Sequence, residues 1–448
     1  MPMDGVRFVA VRLGPRPGGY DSTVTSVVLP QTQTRMLERR TEVERLVAAA
    51  AVLVLFLQVQ LPVAHLNPAV LVAAVLMPVW VQVLPRFEGA RLLLGAFVVA
   101  VAAGILLSVA EQGVRQINVS SGLDFVVGTL TLMGGLGVIL WARTLISAPV
   151  IAMLAGFGLL ATVSRSAELF ASNPWRFGYS IPVTIVVLAI AWRIGSRWFE
   201  ISALLALALV SATNDARSNF GMLILAALLV VWRARRLSPG QRGSWISMSL
   251  LVAAVAFAVF QISQTLILSG YLGERTQERS QAQVDAAGSI ILGGRPELAA
   301  AAALFWSDPG GFGVGAVPTP TEIVTAKAGM AKINYDPDNG YVERYMLGGH
   351  FELHSVLGDL WTSYGIAGIG AGALLVGVAV RATALSLRSG VASGLLVYLA
   401  VRTLWGFAFG PFLGGSSIIM LFVGLVLIER SAQRTPDDTD GSEPAVVR

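Results

Sequence analysis

The sequence predicts an all-α integral membrane protein with about twelve transmembrane helices and one large loop outside the membrane. Two observations support this fold class. Only 13% of the 448 residues are charged and 55% are hydrophobic, whereas a soluble domain has about 25% charged residues. Apolar runs of roughly 16 to 25 residues recur along the chain, and each can cross a hydrocarbon core of about 30 Å as a helix. The lipid bilayer is therefore the solvent that most of this chain requires.

The apolar runs place twelve spans and divide the chain into five segments. The spans cover residues 46–64, 68–84, 91–110, 124–142, 147–163, 179–192, 198–213, 218–232, 245–268, 356–379, 391–409 and 411–428. The segments are a cytoplasmic disordered tail at 1–44, helices one to nine at 45–269, an extracytoplasmic loop at 270–355, helices ten to twelve at 356–429 and a second cytoplasmic disordered tail at 430–448. Neither tail has an apolar run long enough to fold by burial.

Arginine positions set the predicted orientation. The connections on one side of the predicted membrane contain Arg86, Arg91, Arg143, Arg193, Arg197, Arg233, Arg235, Arg236, Arg242, Arg381, Arg388 and Arg430. The short connections on the other side contain Arg115, Arg165, Arg176 and Arg217. Because cytoplasmic connections hold the excess of basic residues, we expect the loop at 270–355 to face outward from the cytoplasmic membrane. The net charge of +5 then marks topology, and the predicted partner is the lipid bilayer rather than nucleic acid.

The connection at 270–355 is far longer than ordinary links between helices. Its segment LFWSDPGGFGVG mixes aromatic residues with glycine and proline, and long ordered loops are usually functional. We therefore expect a partly folded outer cap. The chain has no cysteine, which excludes disulfides and thiolate metal sites from this cap. No P-loop and no convincing dinucleotide fingerprint indicates a nucleotide cofactor.

Two of the three histidines, His350 and His354, lie together where the loop meets the tenth span. Histidine exchanges protons near neutral pH, so His354 is a candidate general base, with His350 and Glu352 as secondary candidates. Two other interpretations stay open. Both histidines could be polar residues at a membrane interface, or HFELH could bind zinc through imidazoles four residues apart on one helix face. Glu352 is not adjacent to the first histidine as in the HExxH pattern, so we predict no metal.

Three arginines on the predicted outer side are candidates for binding phosphate. Arg217 lies in ATNDARSNFG between the seventh and eighth spans, Arg295 lies in the loop, and Arg402 lies inside the eleventh span near its outer end. An arginine at the centre of a span costs about 2.5 to 3.5 kcal/mol, so it usually faces a cavity or a partner. Guanidinium groups bind phosphate through two parallel hydrogen bonds. In the alternative interpretation, Arg402 reaches to the interface and Arg217 pairs with Asp215.

The run HSVLGDLWTSYGIAG, from His354 to Gly368, resembles a motif of the O-antigen ligase and polymerase family, in which a histidine precedes leucines and G-x-x-G. The matching positions are His354, Leu357, Leu360, Gly365 and Gly368. The span number, the loop position, the arginine in ATNDARSNFG and the segment from Arg295 to Gly315 are also similar to that family. Ser355 and Ser363 depart from it, because the family commonly has asparagine and an acidic residue there.

This resemblance implies transfer of a glycan from a polyprenyl-pyrophosphate carrier to a hydroxyl of a glycan or glycolipid acceptor, on the outer face of the membrane. It implies neither a nucleotide nor a metal cofactor. His354 would be the general base on the acceptor hydroxyl, which contributes about 10² to 10⁴-fold in rate. Arg217, Arg295 and Arg402 would hold the pyrophosphate and stabilise its developing charge. A single in-line displacement would invert the anomeric carbon.

Three alternative functions stay open on the sequence. A polymerase of the same family would use the same donor and leaving group. A peptidoglycan polymerase of the shape, elongation and division class would rely on an acidic loop residue, for which Asp308 is the candidate. A transporter or flippase for a lipid-linked anion would have corresponding interrupted spans in its two halves, and we find no such pair.

Overall fold

A computed structural model of the chain describes residues 31–59, 61, 66–235, 245–271, 273–288, 293–388 and 392–430. Across these residues the regular secondary structure is helical, with β-bridges only between isolated residue pairs. The all-helical fold class is thus confirmed. Residues 1–30 and 431–448 of the predicted tails lie outside the described residues, as do Arg236 and Arg242 of the arginine asymmetry.

The α-helices of the described chain are numbered in chain order. They are α1 (Gln31–Leu55), α2 (Pro68–Val75), α3 (Met77–Val83), α4 (Ala90–Ala110), α5 (Val119–Ala142), α6 (Ala148–Ala161), α7 (Glu168–Ser172), α8 (Ser180–Ile194), α9 (Arg197–Thr213), α10 (Arg217–Arg235), α11 (Trp245–Leu268), α12 (Glu274–Ala287), α13 (Glu297–Ser307), α14 (Pro320–Ala331), α15 (Val356–Arg388), α16 (Gly394–Phe409) and α17 (Phe412–Val426). Single π-helical turns cover Trp175–Tyr179 and Val342–Met346.

Several of these helices are long and apolar enough to cross a membrane. They are α4, α5, α15 and the helical stretch Trp175–Ile194 that contains α8. The bent pair α2 and α3 makes a fifth if the two helices form one span. On α4, large apolar side chains such as Leu92 and Leu106 are exposed, as expected of a helix that faces lipid. The chain is therefore a multi-pass membrane protein.

The structure differs from three of the predicted spans, in a helix boundary for two of them and by a bend in the other. The first helix covers Gln31–Leu55 rather than 46–64, so part of the predicted disordered tail at 1–44 is helical. The glutamate, arginine and glutamine residues before Val47 are good helix formers, and they extend the helix beyond its apolar part. The predicted span 68–84 bends by 70° between α2 and α3, next to Pro78, because proline cannot donate an i→i−4 hydrogen bond. The predicted span 356–379 continues as helix to Arg388.

The segment predicted as a cap contains α12, α13 and α14 and has an apolar core separate from that of the helix bundle. The largest members of this second core are Leu304, Phe312, Met330, Met346, Phe351, Leu353 and Trp361. The rings of Phe312 and Phe351 stack with centroids 4.3 Å apart. We call this folded unit, residues 273–288 and 293–355, the cap.

A glycine-rich segment of the cap, residues 310–315, inserts between α4, α5 and α15. The backbone N–H groups of Phe312 and Gly313 donate to the Thr362 carbonyl oxygen at 2.8 and 3.0 Å. A Cβ atom at Gly313 would lie 2.7 Å from the backbone nitrogen of Ser108, and the φ angle of Gly313 is +92°. Only glycine permits this backbone conformation and this close approach. The insertion fixes the cap to one end of the bundle, which we call the cap end.

Arg115, in the connection between α4 and α5, also holds the cap. Its guanidinium group donates to Glu322 at 2.9 Å and to Glu111 at 3.1 Å, and it lies over the Phe312 ring at 5.1 Å. Burial alone would lower the pKa of Arg115, but the hydrogen bonds to Glu322 and Glu111 outweigh burial and raise it. The guanidinium group therefore stays charged and couples the cap to the bundle.

The opposite end of the bundle has its own polar contacts. Arg381 on α15 donates to Glu88 at 3.0 Å, and Arg143 donates to the carbonyl oxygens of Gly424 and Leu427 at 2.8 Å. Both arginines belong to the set predicted to be cytoplasmic. The structure thus separates Arg143 and Arg381 from Arg115 by the length of the bundle, as the arginine pattern requires.

Candidate functional site

His354 lies where the cap joins α15, and its backbone is held on both sides. The preceding residue, Leu353, donates its N–H to the Asp359 carboxylate at 2.7 Å. On the other side, the Ser355 hydroxyl donates to the Phe407 carbonyl oxygen at 2.8 Å and accepts the Gly358 N–H at 3.2 Å. Between these two anchors, His354 has a φ of +50°, in the left-handed region that side chains disfavour. Such strain is often found at functional sites.

The imidazole of His354 is 23% exposed and faces Glu352. Its Nδ1 lies 3.3 Å from the Glu352 carbonyl oxygen, and its Nε2 lies 3.8 Å from the Glu352 carboxylate. With the hydrogen on Nδ1 donated to that carbonyl oxygen, Nε2 is left to accept a proton. The nearby carboxylate would then stabilise the imidazolium that forms. This arrangement suits a general base.

His350 has a different environment. Its Nε2 lies 3.3 Å from the other oxygen of Glu352, and this hydrogen bond raises the pKa of His350 above its usual 6.5. The same bond lowers the pKa of Glu352 below its usual 4.5. The bond to Glu352 therefore favours the protonated form of His350, whereas a general base must begin the reaction unprotonated.

The zinc interpretation needs the two histidines on one helix face, and the structure removes that condition. Residues 350–354 are not helical, so the two imidazoles do not share a helix face, although both approach the carboxylate of Glu352. Among the described residues, no group of three His, Asp or Glu side chains is arranged to hold a metal ion. Asp308 is the acidic candidate for a peptidoglycan polymerase. Its carboxylate accepts the Gly310 N–H at 3.2 Å, in the turn that leads into the glycine-rich segment.

Tyr341 lies beside His354 and donates a hydrogen bond to a buried carboxylate. Its ring centroid lies 6.4 Å from that of His354, and its hydroxyl donates to the carboxylate of Glu297, which is only 4% exposed. Burial, followed by the charge and hydrogen bond of Glu297, raises the pKa of Tyr341, and the positive charge of Arg295 opposes this rise. Arg295 shows no hydrogen bond or ion pair to any described residue.

Arg217 begins α10 and contacts the cap through α12. Its Nη1 donates to the Ser280 hydroxyl at 2.6 Å, and its Nε lies 3.5 Å from Asp215. Asp215 also pairs with Arg176 at 2.9 Å and has a φ of +49°. The predicted alternative for Arg217, pairing with Asp215, is thus present in the structure. A phosphate would add to these contacts or replace them.

Arg402 lies on α16 among polar residues inside the bundle. Its Nη1 donates to the Met222 sulfur at 4.0 Å, and it lies beside the Tyr398 hydroxyl. That hydroxyl donates to Asn219 at 2.8 Å, and Asn219 in turn donates to Ser211 at 2.9 Å. In the part of the chain that the structure describes, no carboxylate pairs with Arg402. An arginine of this kind inside a span usually faces a ligand or a cavity.

The described contacts sort the predicted residues into two groups, both at the cap end. In the cap, which also contains Arg295, Tyr341 lies beside His354 and Glu352 contacts both His350 and His354, whereas Arg217 and Arg402 lie on the packed helices α10 and α16. A small apolar cavity of about 10 Å³ in the bundle and a groove of about 320 Å³ beside Arg381 are lined by other residues. The candidate site is therefore defined by its side chains rather than by an enclosed cavity.

Sequence reasoning missed Glu297, Tyr341 and Asp359. Glu297 follows Arg295 by two residues and gives no signal of its own. Asp359 is a carboxylate near the start of an apolar helix, a position where a charge is costly, and this signal could have found it. Comparisons of the chain with protein-family models, with curated proteins and with solved structures gave no match. The interpretation of the site therefore rests on its residues.

Proposed function

We propose that this protein is an extracytoplasmic membrane glycosyltransferase of the O-antigen ligase type. It transfers a glycan from a polyprenyl-pyrophosphate donor to a hydroxyl of a glycan or glycolipid acceptor. The observation that carries the proposal is His354, held in a left-handed conformation between cap and bundle with its imidazole partly exposed. Arginines that can bind phosphate lie at the same end of the bundle.

In the proposed reaction, His354 Nε2 takes the proton of the acceptor hydroxyl while the acceptor oxygen attacks the anomeric carbon of the donor. The bond between the anomeric carbon and the phosphate oxygen breaks, and its electron pair leaves with the polyprenyl pyrophosphate. Glu352 stabilises the imidazolium through its carboxylate and its carbonyl oxygen. Attack and departure on opposite sides invert the anomeric carbon.

Arg402, Arg295 and Arg217 would bind the pyrophosphate in this mechanism. The first two are supported by their lack of a carboxylate partner among the described residues, and Arg217 by its position on a helix that packs against α16. Each charge-assisted hydrogen bond to phosphate contributes roughly 1.5 to 3 kcal/mol. Fixed guanidinium groups also stabilise the negative charge that grows on the leaving group.

The proposal includes twelve spans with the cap outside the cell membrane. It is supported by helices at all of the predicted span positions and by the separation of Arg143 and Arg381 from the cap end. A polymerase would use the same donor, the same leaving group and the same base, so it remains the second member of this proposal. A transporter is less well supported, because its binding charges should lie near the midplane, and those found here lie toward the cap end.

The experiment is a comparison of cells with and without the protein, followed by reconstitution. The carrier-linked glycan that accumulates in the deletion strain is the proposed donor, and purified protein should transfer it to an acceptor from the same strain. A ligase would join the glycan to a different acceptor, whereas a polymerase would lengthen a carrier-linked glycan. No accumulation together with no transfer by the reconstituted protein would refute both.

A further inference from the structure

We propose that Asp359 is the residue that positions His354. Asp359 lies in the first turns of α15, is 2% exposed and directs both carboxylate oxygens at backbone N–H groups. One oxygen accepts the N–H of Leu353 at 2.7 Å, and the other accepts the N–H of Phe412 at 2.8 Å. Leu353 immediately precedes His354. The carboxylate therefore fixes the backbone from which the imidazole projects.

A buried carboxylate at this position is expensive, which indicates a role beyond packing. In the part of the chain that the structure describes, no lysine or arginine pairs with Asp359, and the hydrogen bonds to its two carboxylate oxygens come from backbone N–H groups. An asparagine would have the same shape but only one accepting oxygen. Its NH₂ group would then face one of the two N–H donors, and one of those contacts would be lost.

Asp359 also ties the histidine segment to the corner between α16 and α17. Phe412 is the first residue of α17, and Ser355, on the other side of His354, donates to the carbonyl oxygen of Phe407 near the end of α16. Both neighbours of His354 are thus anchored to the same corner. This double attachment is the physical reason that the left-handed conformation of His354 persists.

This inference rests on the proposed function, and the first test is kinetic. Asp359→Asn should lower glycan transfer by about 10²-fold, the typical effect of a displacement of about 1 Å in a catalytic group. In a His354→Ala background, the same substitution should have little further effect, because a positioning residue acts only through the group that it positions. Tyr364→Phe is the matched control. Tyr364 lies on α15, as Asp359 does, and the substitution removes its buried hydrogen bond to Thr129 of α5 without touching His354.

A second readout does not depend on transfer. Diethyl pyrocarbonate modifies accessible imidazoles, and peptide mass spectrometry can compare His354 with His350 in one sample. Asp359→Asn should make His354 react faster and leave His350 unchanged, whereas Tyr364→Phe should change neither. If Asp359→Asn does not fold, Ser355→Ala tests the other anchor with the same expected result.

The outcomes separate the two proposals. If the wild-type protein transfers no glycan but His354 reacts faster in Asp359→Asn, the proposed function fails and the positioning role stands. If transfer occurs but Asp359→Asn lowers it equally in the His354→Ala background, the role is structural and the inference is overturned. An unchanged modification rate at His354 in folded Asp359→Asn protein also overturns it.

Discussion

Gly365 and Gly310 pack backbone against backbone at the point where the cap enters the bundle. A Cβ atom at Gly365 would collide with the carbonyl oxygen of Gly310, and Gly365 has φ +62° and ψ −147° inside α15. This region of backbone conformation is accessible essentially only to glycine. The first glycine of the G-x-x-G motif at the start of the tenth predicted span therefore packs directly against residues 310–315 of the cap.

We expect Gly365→Ala to destabilise the protein by at least about 1 to 3 kcal/mol, because it adds both a backbone strain and a steric clash. Thermal unfolding of the purified protein in detergent measures the effect. Gly370→Ala is the control on the same helix, since nothing lies within 4 Å of a Cβ atom built there. Equal unfolding temperatures for Gly365→Ala and wild type would contradict the close packing of Gly365 against Gly310.

His354→Ala should fold and bind the carrier-linked donor but lose transfer by about 10² to 10⁴-fold, because it lacks the general base. His350→Ala should lose much less, since His350 is held in an ion pair with Glu352. Transfer is measured with and without EDTA, beside thermal unfolding of each variant. Equal losses in both variants that a chelator reproduces would indicate a metal site instead.

The His350 and Glu352 pair should contribute to stability only within a defined pH range. Because the pKa of His350 is raised above 6.5, its contribution is full below pH 6.5 and is lost as pH rises through the folded value. Because the pKa of Glu352 is lowered below 4.5, its contribution is full above pH 4.5 and is lost as pH falls through the folded value. The pair is partly exposed, so the contribution is at most about 1 kcal/mol.

Unfolding of wild type and His350→Gln should therefore differ between pH 4.5 and 6.5 and converge at alkaline pH. The comparison uses the midpoint of denaturant unfolding at several pH values. A difference that grows as pH rises above 6.5 would contradict the ion pair.

Arg402→Lys should weaken donor binding far more than Arg165→Lys, an exposed arginine at the same end of the bundle. A lysine keeps the charge but cannot make the two parallel hydrogen bonds of a guanidinium group to phosphate. Arg217→Lys should also weaken donor binding, although part of its effect will come from the lost contacts to Asp215 and Ser280. Donor affinity is measured directly, so near-normal binding in Arg402→Lys would exclude this arginine from the phosphate site.

The cap should face the outside of the cell. The chain has no cysteine, so a single Ser307→Cys substitution on the exposed end of α13 gives one reactive site. A membrane-impermeant thiol reagent should label it in intact cells. Ser147→Cys, exposed at the opposite end of the bundle, should be labelled only after permeabilisation. The reverse pattern would invert the proposed topology.

The sequence predicted the helix positions well because each apolar run must satisfy its own backbone hydrogen bonds inside a membrane. α4, α5 and α9 begin and end within a few residues of the predicted spans. The boundaries of the first predicted span were wrong, since helix propensity continued the helix into polar residues where hydropathy gave no signal. The bend between α2 and α3 was not predicted, because the hydropathy of an apolar run is the same in a straight helix and in a kinked one.

By itself, the sequence determined which residues are chemically suited to a site: a histidine pair, a carboxylate between them and arginines on one side of a membrane. Tertiary structure alone decided their partners. It placed Tyr341 beside His354, paired Arg217 with Asp215, and left Arg402 without a carboxylate among the described residues. These relationships depend on how the cap packs on the bundle, through contacts between residues far apart in the chain. Hydropathy and local spacing fix helices one at a time, so they carry no information about such contacts.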